Sequence, residues 1–202
     1  MAKKGLWILF AILAIIIGLY PVIYFLVDRN FGLLNSKSAE LLANIFWNIG
    51  FYTHIIFGGI ALLTGWIQFS SKIRIKYVKL HRNVGMVYLV AVVLSSLAGV
   101  YIGFFATGGL IASLGFITLG LIWFYTTVKA YLYIKARQID QHQKMMVYSY
   151  AACFAAVTLR IWLPLLTMIY GDFLKAYLIV AWLCWVPNFC VAYLITRTAT
   201  VK

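Results

Sequence analysis

The chain has 202 residues, 65% of them hydrophobic and only 10% charged, with a mean hydropathy of +0.97. Soluble domains carry about 25% charged residues, so a water-soluble fold is excluded and an integral membrane protein is expected. The formal charge of +13 would suggest nucleic acid in a soluble chain, but the cations lie in short loops, where topology accounts for them.

The first element is an apolar run from Leu6 to Val27 behind the basic start MAKKG. Its length of about 20 residues, without a small-residue cleavage site, reads as a retained span rather than a signal peptide. Pro21 should kink it near its far end. Asp28 to Asn44 forms a polar connector, in which Ser38 can cap a short helix with Glu40 in its first turn and Leu41, Leu42 and Ile45 on the membrane surface. Spans two and three, about 46–69 and 83–104, form a helical hairpin around the basic connector SSKIRIKYVKL. Helical spacing puts His54, Gly58, Ala61, Gly65 and Gln68 on one stripe, and His81, Gly85, Tyr88, Ser95 and Gly99 on another. Small and polar stripes of this kind belong inside a membrane bundle.

ATGG at 106–109 reads as a tight turn, because adjacent glycines permit positive φ. Span four, about 110–134, carries Ser113, Gly120, Trp123 and Thr127 on one stripe. After the polar loop KARQIDQHQK, span five covers about 145–170, and GDF turns the chain into span six at about 174–196. The expectation is therefore an all-α integral membrane bundle, one transmembrane domain over 1–202, with six transmembrane helices.

Orientation follows the basic residues. Lys3, Lys4, Lys72, Arg74, Lys76, Lys79, Arg82, Lys135, Arg137, Lys144, Arg197 and Lys202 collect on one side, which makes twelve. Arg29, Lys37 and Lys175 lie on the other, each near an acid. Both termini are therefore expected to be cytoplasmic, in a multi-pass protein of a bacterial inner membrane. The loop cations Lys72, Arg74, Lys76, Lys79 and Arg82 suit anionic lipid headgroups, and no nucleic-acid partner is required.

Three groups could carry chemistry. His54 should lie about 12 Å below the outer surface, with Arg160 at similar depth on span five. An arginine within a span costs at least about 2.5 kcal/mol, and no Asp or Glu falls within any span. It either braces helix carbonyls around Pro164 or faces a ligand pocket that Gln68 and Asn188 would also line. The second group is His81 and His142, at the cytoplasmic starts of spans three and five. Two histidines at one depth could ligate a b-type haem, or simply cap helices at the interface. Three histidines in all exclude a two-haem, all-histidine arrangement unless methionine substitutes. The third group is polar and aromatic: Gln68, Asn188, Trp123, Trp162, Trp182 and Trp185. Tryptophans near span ends read as interfacial anchors, and Asn188, after Pro187, as an amide satisfying backbone freed by the proline. Cys153, Cys184 and Cys190 read as small buried hydrophobes, and no metal site is expected. Nucleotide-binding and hydrolase motifs are absent.

The ordered motifs H-x3-GG-x5-G-x2-QF from His54, HR-x2-G-x2-Y from His81, ATGG, HQKMM from His142 and AAVTLRIWLP around Arg160 resemble a group of bacterial membrane proteins catalogued only as a domain of unknown function. The likeness runs from about Tyr52 to Pro164, and the IGFYTH lead-in is similar to versions from Bacteroidota. It implies that His54, His81, Arg82, Gly85, Tyr88, His142 and Arg160 occupy signature positions, without supplying an activity. The helices are also loosely similar to cytochrome b561 and ferric reductase bundles, where histidines on neighbouring spans hold haem. Three functional readings stay open: binding of haem b, quinone or another lipid-soluble ligand within the bundle; a non-catalytic lipid-binding or assembly subunit with a membrane-protein partner or a second copy; and a small-solute transporter. The last lacks the usual proton-coupling carboxylate within its spans.

Overall fold

The computed structural model describes residues 2–27 and 32–198. Asp28 and Arg29 of the first connector, and Lys202 of the tail, lie outside the described residues. Every regular element among the described residues is helical, and six helical stretches are long and apolar enough to cross a membrane. They run Gly5–Leu26, Ile45–Phe69, Val78–Gly103, Leu110–Lys135, Ile139–Tyr170 and Phe173–Thr198.

In chain order, α1 (Ala2–Leu19) passes through a 3-10 turn at Tyr20–Val22 into α2 (Ile23–Leu26). Pro21 sits in that turn, where its missing N–H and fixed φ interrupt the α-helix. The short α3 (Ala39–Ala43) is capped by Ser38, whose Oγ accepts from the Leu41 N–H at 3.2 Å. Ile45 belongs instead to the first turn of α4 (Ile45–Gly65), which Asn44 caps through the Trp47 N–H at 3.0 Å. The basic connector holds a further helix, α5 (Ser71–Lys76), and α6 (Val78–Gly103) starts more than a turn before the expected span. The turn before α7 (Leu110–Lys135) has φ of 94° at Gly108 and 67° at Gly109, which L side chains rarely adopt. Gln138 N–H reaches the Tyr133 carbonyl at 2.9 Å and Arg137 N–H the Ile134 carbonyl at 3.1 Å, a Schellman closure of α7 with Arg137 in the left-handed position at φ 59°.

Span five consists of α8 (Ile139–Cys153) and α9 (Ala155–Tyr170), interrupted at Phe154. Span six consists of α10 (Phe173–Leu183), capped by Asp172, and α11 (Val186–Thr198), interrupted at Cys184 and Trp185. Pro187 accounts for the second interruption, since it cannot donate to the Leu183 carbonyl and is tolerated only in a first helical turn.

The chain divides into two compact units at Ser95/Ser96, within α6. In the first unit α1 and α4 meet at Gly18 and Gly59, where a Cβ on Gly59 would stand 2.6 Å from the Gly18 carbonyl oxygen. Trp7 and Trp66 pack edge-on at 5.5 Å in the same pair of spans. In the second unit α7 lies along α8, α9 along α10, and α10 along α7. Gly115 lets α7 approach the Ala181 backbone of α10, where a Cβ would stand 2.8 Å from the carbonyl oxygen. The stripe Ser113, Gly120, Trp123 and Thr127 is buried along its length.

Candidate functional site

The histidine chemistry of the first unit is fixed by its hydrogen bonds. His54 Nδ1 lies 2.9 Å from the Ser95 carbonyl, and Ser95 Oγ donates to the His54 carbonyl at 2.9 Å. A carbonyl only accepts, so the neutral ring keeps its proton on Nδ1 and its lone pair on Nε2. Gly58 makes the approach of Ser95 possible: a Cβ there would come within 3.2 Å of Ser95 Oγ. Fourteen residues on, Gln68 is buried. Its amide is assigned with the nitrogen donating to His81 Nδ1 at 2.8 Å and the His81 carbonyl at 3.2 Å, and the oxygen accepting from the Gly85 N–H at 3.2 Å. His81 thus accepts at Nδ1 and carries its proton on Nε2, the opposite tautomer to His54. The neighbouring cations Lys72, Arg74, Lys76, Lys79 and Arg82 are all exposed.

In the second unit polar groups gather at the two helix interruptions. The Phe154 carbonyl accepts from the N–H groups of Val157 at 2.9 Å and Thr158 at 3.2 Å, and Thr158 Oγ also reaches back to it at 3.3 Å. Threonine back-bonding of this kind bends helices. The same hydroxyl donates to the Cys184 carbonyl at the interruption of span six. Asn188, just after Pro187, completes the connection. Its amide nitrogen lies 3.0 Å from the Cys184 carbonyl, 3.2 Å from the Ala151 carbonyl and 3.2 Å from Thr158 Oγ. The carbonyl that Pro187 leaves without a donor is that of Leu183, whereas Asn188 bonds the next one, that of Cys184. Asn188 also ties that backbone to span five, which the sequence does not reveal.

Arg160 follows Thr158 by two residues. Its side chain folds back one turn, as helical side chains do, and Nη1 donates to the Ala156 carbonyl at 2.9 Å, with Nε buried. Pro164 leaves the Arg160 carbonyl without its helical donor, but the guanidinium holds the carbonyl one turn earlier, on the side of the interruption.

Trp123 is 6% exposed in the middle of α7. This agrees with its place on the stripe of span four, and Trp185 is likewise buried, at the interruption of span six. Trp162 and Trp182 are more exposed, and Trp182 Nε1 donates to the Ile111 carbonyl at 3.2 Å. The register of α7 on α8 is set by His142 Nδ1, 2.8 Å from the Ala130 carbonyl, and by Thr127 Oγ, 2.6 Å from Ser149 Oγ. One turn before Thr127 is Trp123, and one turn after Ser149 in the antiparallel helix is Cys153. Trp123 therefore stands level with the interruption at Phe154. Its Nε1–H is buried with no hydrogen-bond partner among the described residues, a state that costs about 1–3 kcal/mol.

The second unit thus places Arg160, Asn188 and Thr158, the last of which sequence reasoning passed over, around the two interruptions, with Trp123 level with the first by the register of α7 on α8. His54 and Gln68 belong to the first unit, as does His81, while His142 belongs to the second. A shallow apolar groove of about 430 Å³ starts at Trp185 and follows α11 past Phe189 and Tyr193 to Leu194. Cys190 lines it and is exposed, unlike the buried Cys153 and Cys184, so only two of the three thiols act as buried hydrophobes. No cluster of metal-ligating side chains occurs among the described residues.

A family model described as "Predicted membrane protein (DUF2306)" matches residues 51–196. No curated protein and no solved structure shows significant similarity to the chain.

Proposed function

The chain belongs to the DUF2306 family of predicted membrane proteins, and from that premise we propose that it binds a lipid-soluble, carbonyl-bearing ligand of the quinone class within its helical bundle. In this reading it is one multi-pass domain of the bacterial inner membrane with both termini in the cytoplasm. The observation that carries the proposal is the polar level in the second unit where spans five and six are interrupted together. Irregular backbone at membrane depth persists only where protein buries it or where it lines a cavity. Thr158, Asn188, Arg160 and Trp123 supply hydrogen-bond donors around these interruptions, with Asn188 and Thr158 carrying acceptor oxygens as well. The one carboxylate within a span, Asp140, lies in the first turn of α8, fourteen residues before Phe154, so the level itself suits a neutral or anionic oxygen acceptor. The groove from Trp185 to Leu194 starts at the same level and gives an isoprenoid tail an apolar seat.

The haem reading is weaker on chemical grounds. Iron ligation through Nε2 requires the other nitrogen to be protonated. His142 meets that condition through the Ala130 carbonyl. His81 would have to surrender its Gln68 hydrogen bond and change tautomer.

The test is purification in mild detergent, followed by oxidised and reduced absorbance spectra and a decylubiquinone titration. The expected result is saturable decylubiquinone binding, a quinone difference spectrum and no Soret band. Arg160→Ala should weaken binding by at least about tenfold, and Arg160→Lys by nearly as much, because a point charge does not replace a planar fork. A low-spin Soret band lost in His81→Ala or His142→Ala would establish haem instead. No saturable binding by the wild type would leave the assembly-subunit reading standing.

A further inference from the structure

We infer that Trp123 is a ligand-binding residue, whose indole N–H donates to a carbonyl oxygen of the bound quinone-class molecule. The inference rests on the ligand reading above and adds to it a specific contact.

A buried indole ordinarily finds an acceptor for its N–H. The Trp123 ring is almost wholly enclosed, yet Nε1 meets no acceptor among the described residues. The threonine hydroxyls one turn on are directed to the backbone and not to the indole. Thr126 Oγ and Thr127 Oγ both lie against the Trp123 carbonyl, at 3.2 and 2.8 Å, and Thr127 Oγ also engages Ser149. The helix therefore spends two hydroxyls on the backbone of residue 123 and none on its side chain. Phenylalanine would fill an apolar space without leaving a donor unmet. A tryptophan here gains only if an oxygen acceptor reaches it.

Register narrows what that acceptor is. Trp123 stands level with Phe154, where Thr158 and Asn188 connect spans five and six. The side chains of that level present N–H and O–H groups, and the carbonyls of Ala151 and Cys184 already receive the Asn188 amide. None of these groups lies within hydrogen-bond distance of the Trp123 indole N–H. A quinone carries carbonyl oxygens on opposite edges of a flat apolar ring, so it can accept from an indole on one side and from a second donor on the other. A buried water could also accept from Trp123, and the experiment has to separate the two.

The full-length protein, labelled with 15N-tryptophan and stripped of lipid in detergent, is titrated with decylubiquinone while the indole N–H resonances are followed. Trp123 is assigned by its loss in Trp123→Phe. If that variant fails to fold, benzothienylalanine at position 123, which replaces the N–H by sulfur in a ring of nearly the same shape, serves for assignment and binding. The expected result is a downfield shift of the Trp123 N–H on titration and binding about tenfold weaker without the N–H. Saturable binding with an unmoved Trp123 resonance, and wild-type affinity in the substituted protein, would overturn this inference and leave the ligand reading intact. A Trp123 N–H already downfield in stripped protein, showing cross-relaxation with water and unmoved by decylubiquinone, would assign it to a buried water and also overturn the inference. Absence of saturable binding in the wild type would remove the ligand reading, and this contact with it.

Discussion

Gly59 shows how a single missing side chain positions two spans. A Cβ at this position would meet the Gly18 carbonyl oxygen at 2.6 Å and Pro21 Cγ at 3.1 Å. The first neighbour is backbone, which cannot rotate away. Lipid tails are as apolar as leucine, so close backbone approach, and the dispersion it brings, supplies most of the attraction between membrane helices. Gly59→Ala should force α1 away from α4 and destabilise the first unit by about 1–3 kcal/mol. Gly5→Ala, in α1 with nothing within 4 Å of where the new methyl would stand, should be neutral or slightly stabilising, because alanine is the better helix former. Thermal denaturation of both variants in one detergent checks the pair. Equal melting temperatures would mean that the Gly18–Gly59 contact does not set the packing.

At the scale of elements, the connection between spans five and six is the part most open to measurement. Asn188 and Thr158 share each other and the Cys184 carbonyl, so their energies should not add. Asn188→Ala and Thr158→Val should each destabilise the second unit, with a coupling energy of about 0.6–1.7 kcal/mol, the range found for hydrogen bonds between membrane helices. An equilibrium unfolding cycle of the two single variants and the double variant measures it, and strict additivity would dissolve the connection. The six spans were legible in the sequence because apolarity over some 20 residues is a local sum. The role of Asn188 was half legible, since Pro187 announces a loosened backbone at its own position. The interruption at Phe154 was not, because no proline or glycine lies there; what marks it is the Thr158 hydroxyl, which donates to Cys184 and accepts from Asn188, 26 and 30 residues away. The helix α5 escaped for another reason: its six residues are too few to show a period. Trp123 was legible in part: its stripe with Ser113, Gly120 and Thr127 is buried, whereas its level against span five is decided by the register of α7 on α8.

For the molecule as a whole the governing feature is the distribution of charge. No acidic residue occurs between Glu40 and Asp140, while Lys72, Arg74, Lys76, Lys79 and Arg82 all stand exposed in the connector after span two and the first turns of span three. Positive loops are retained on the cytoplasmic side, so reporters fused after Arg82 and Lys144 should report cytoplasm, and those in 30–44 and 106–109 periplasm. Lys37 offers an independent check on the outer face. Partial burial lowers its pKa from 10.5 to about 8, because desolvation disfavours the ammonium form. Between pH 8 and 10.5 the unfolded chain holds a proton there that the folded chain has lost, so this group's contribution makes stability rise with pH across that window. The same shift leaves about half of the Lys37 amines neutral and nucleophilic near pH 8. A membrane-impermeant acylating reagent applied to intact spheroplasts at that pH should therefore modify Lys37 ahead of Lys175, which is more exposed and lies 3.9 Å from Asp172. Lys72, Lys76 and Lys79 should react only after the membrane is opened. Peptide mass spectrometry gives the order of labelling, and modification of the 72–79 lysines in sealed spheroplasts would invert the assignment of every span.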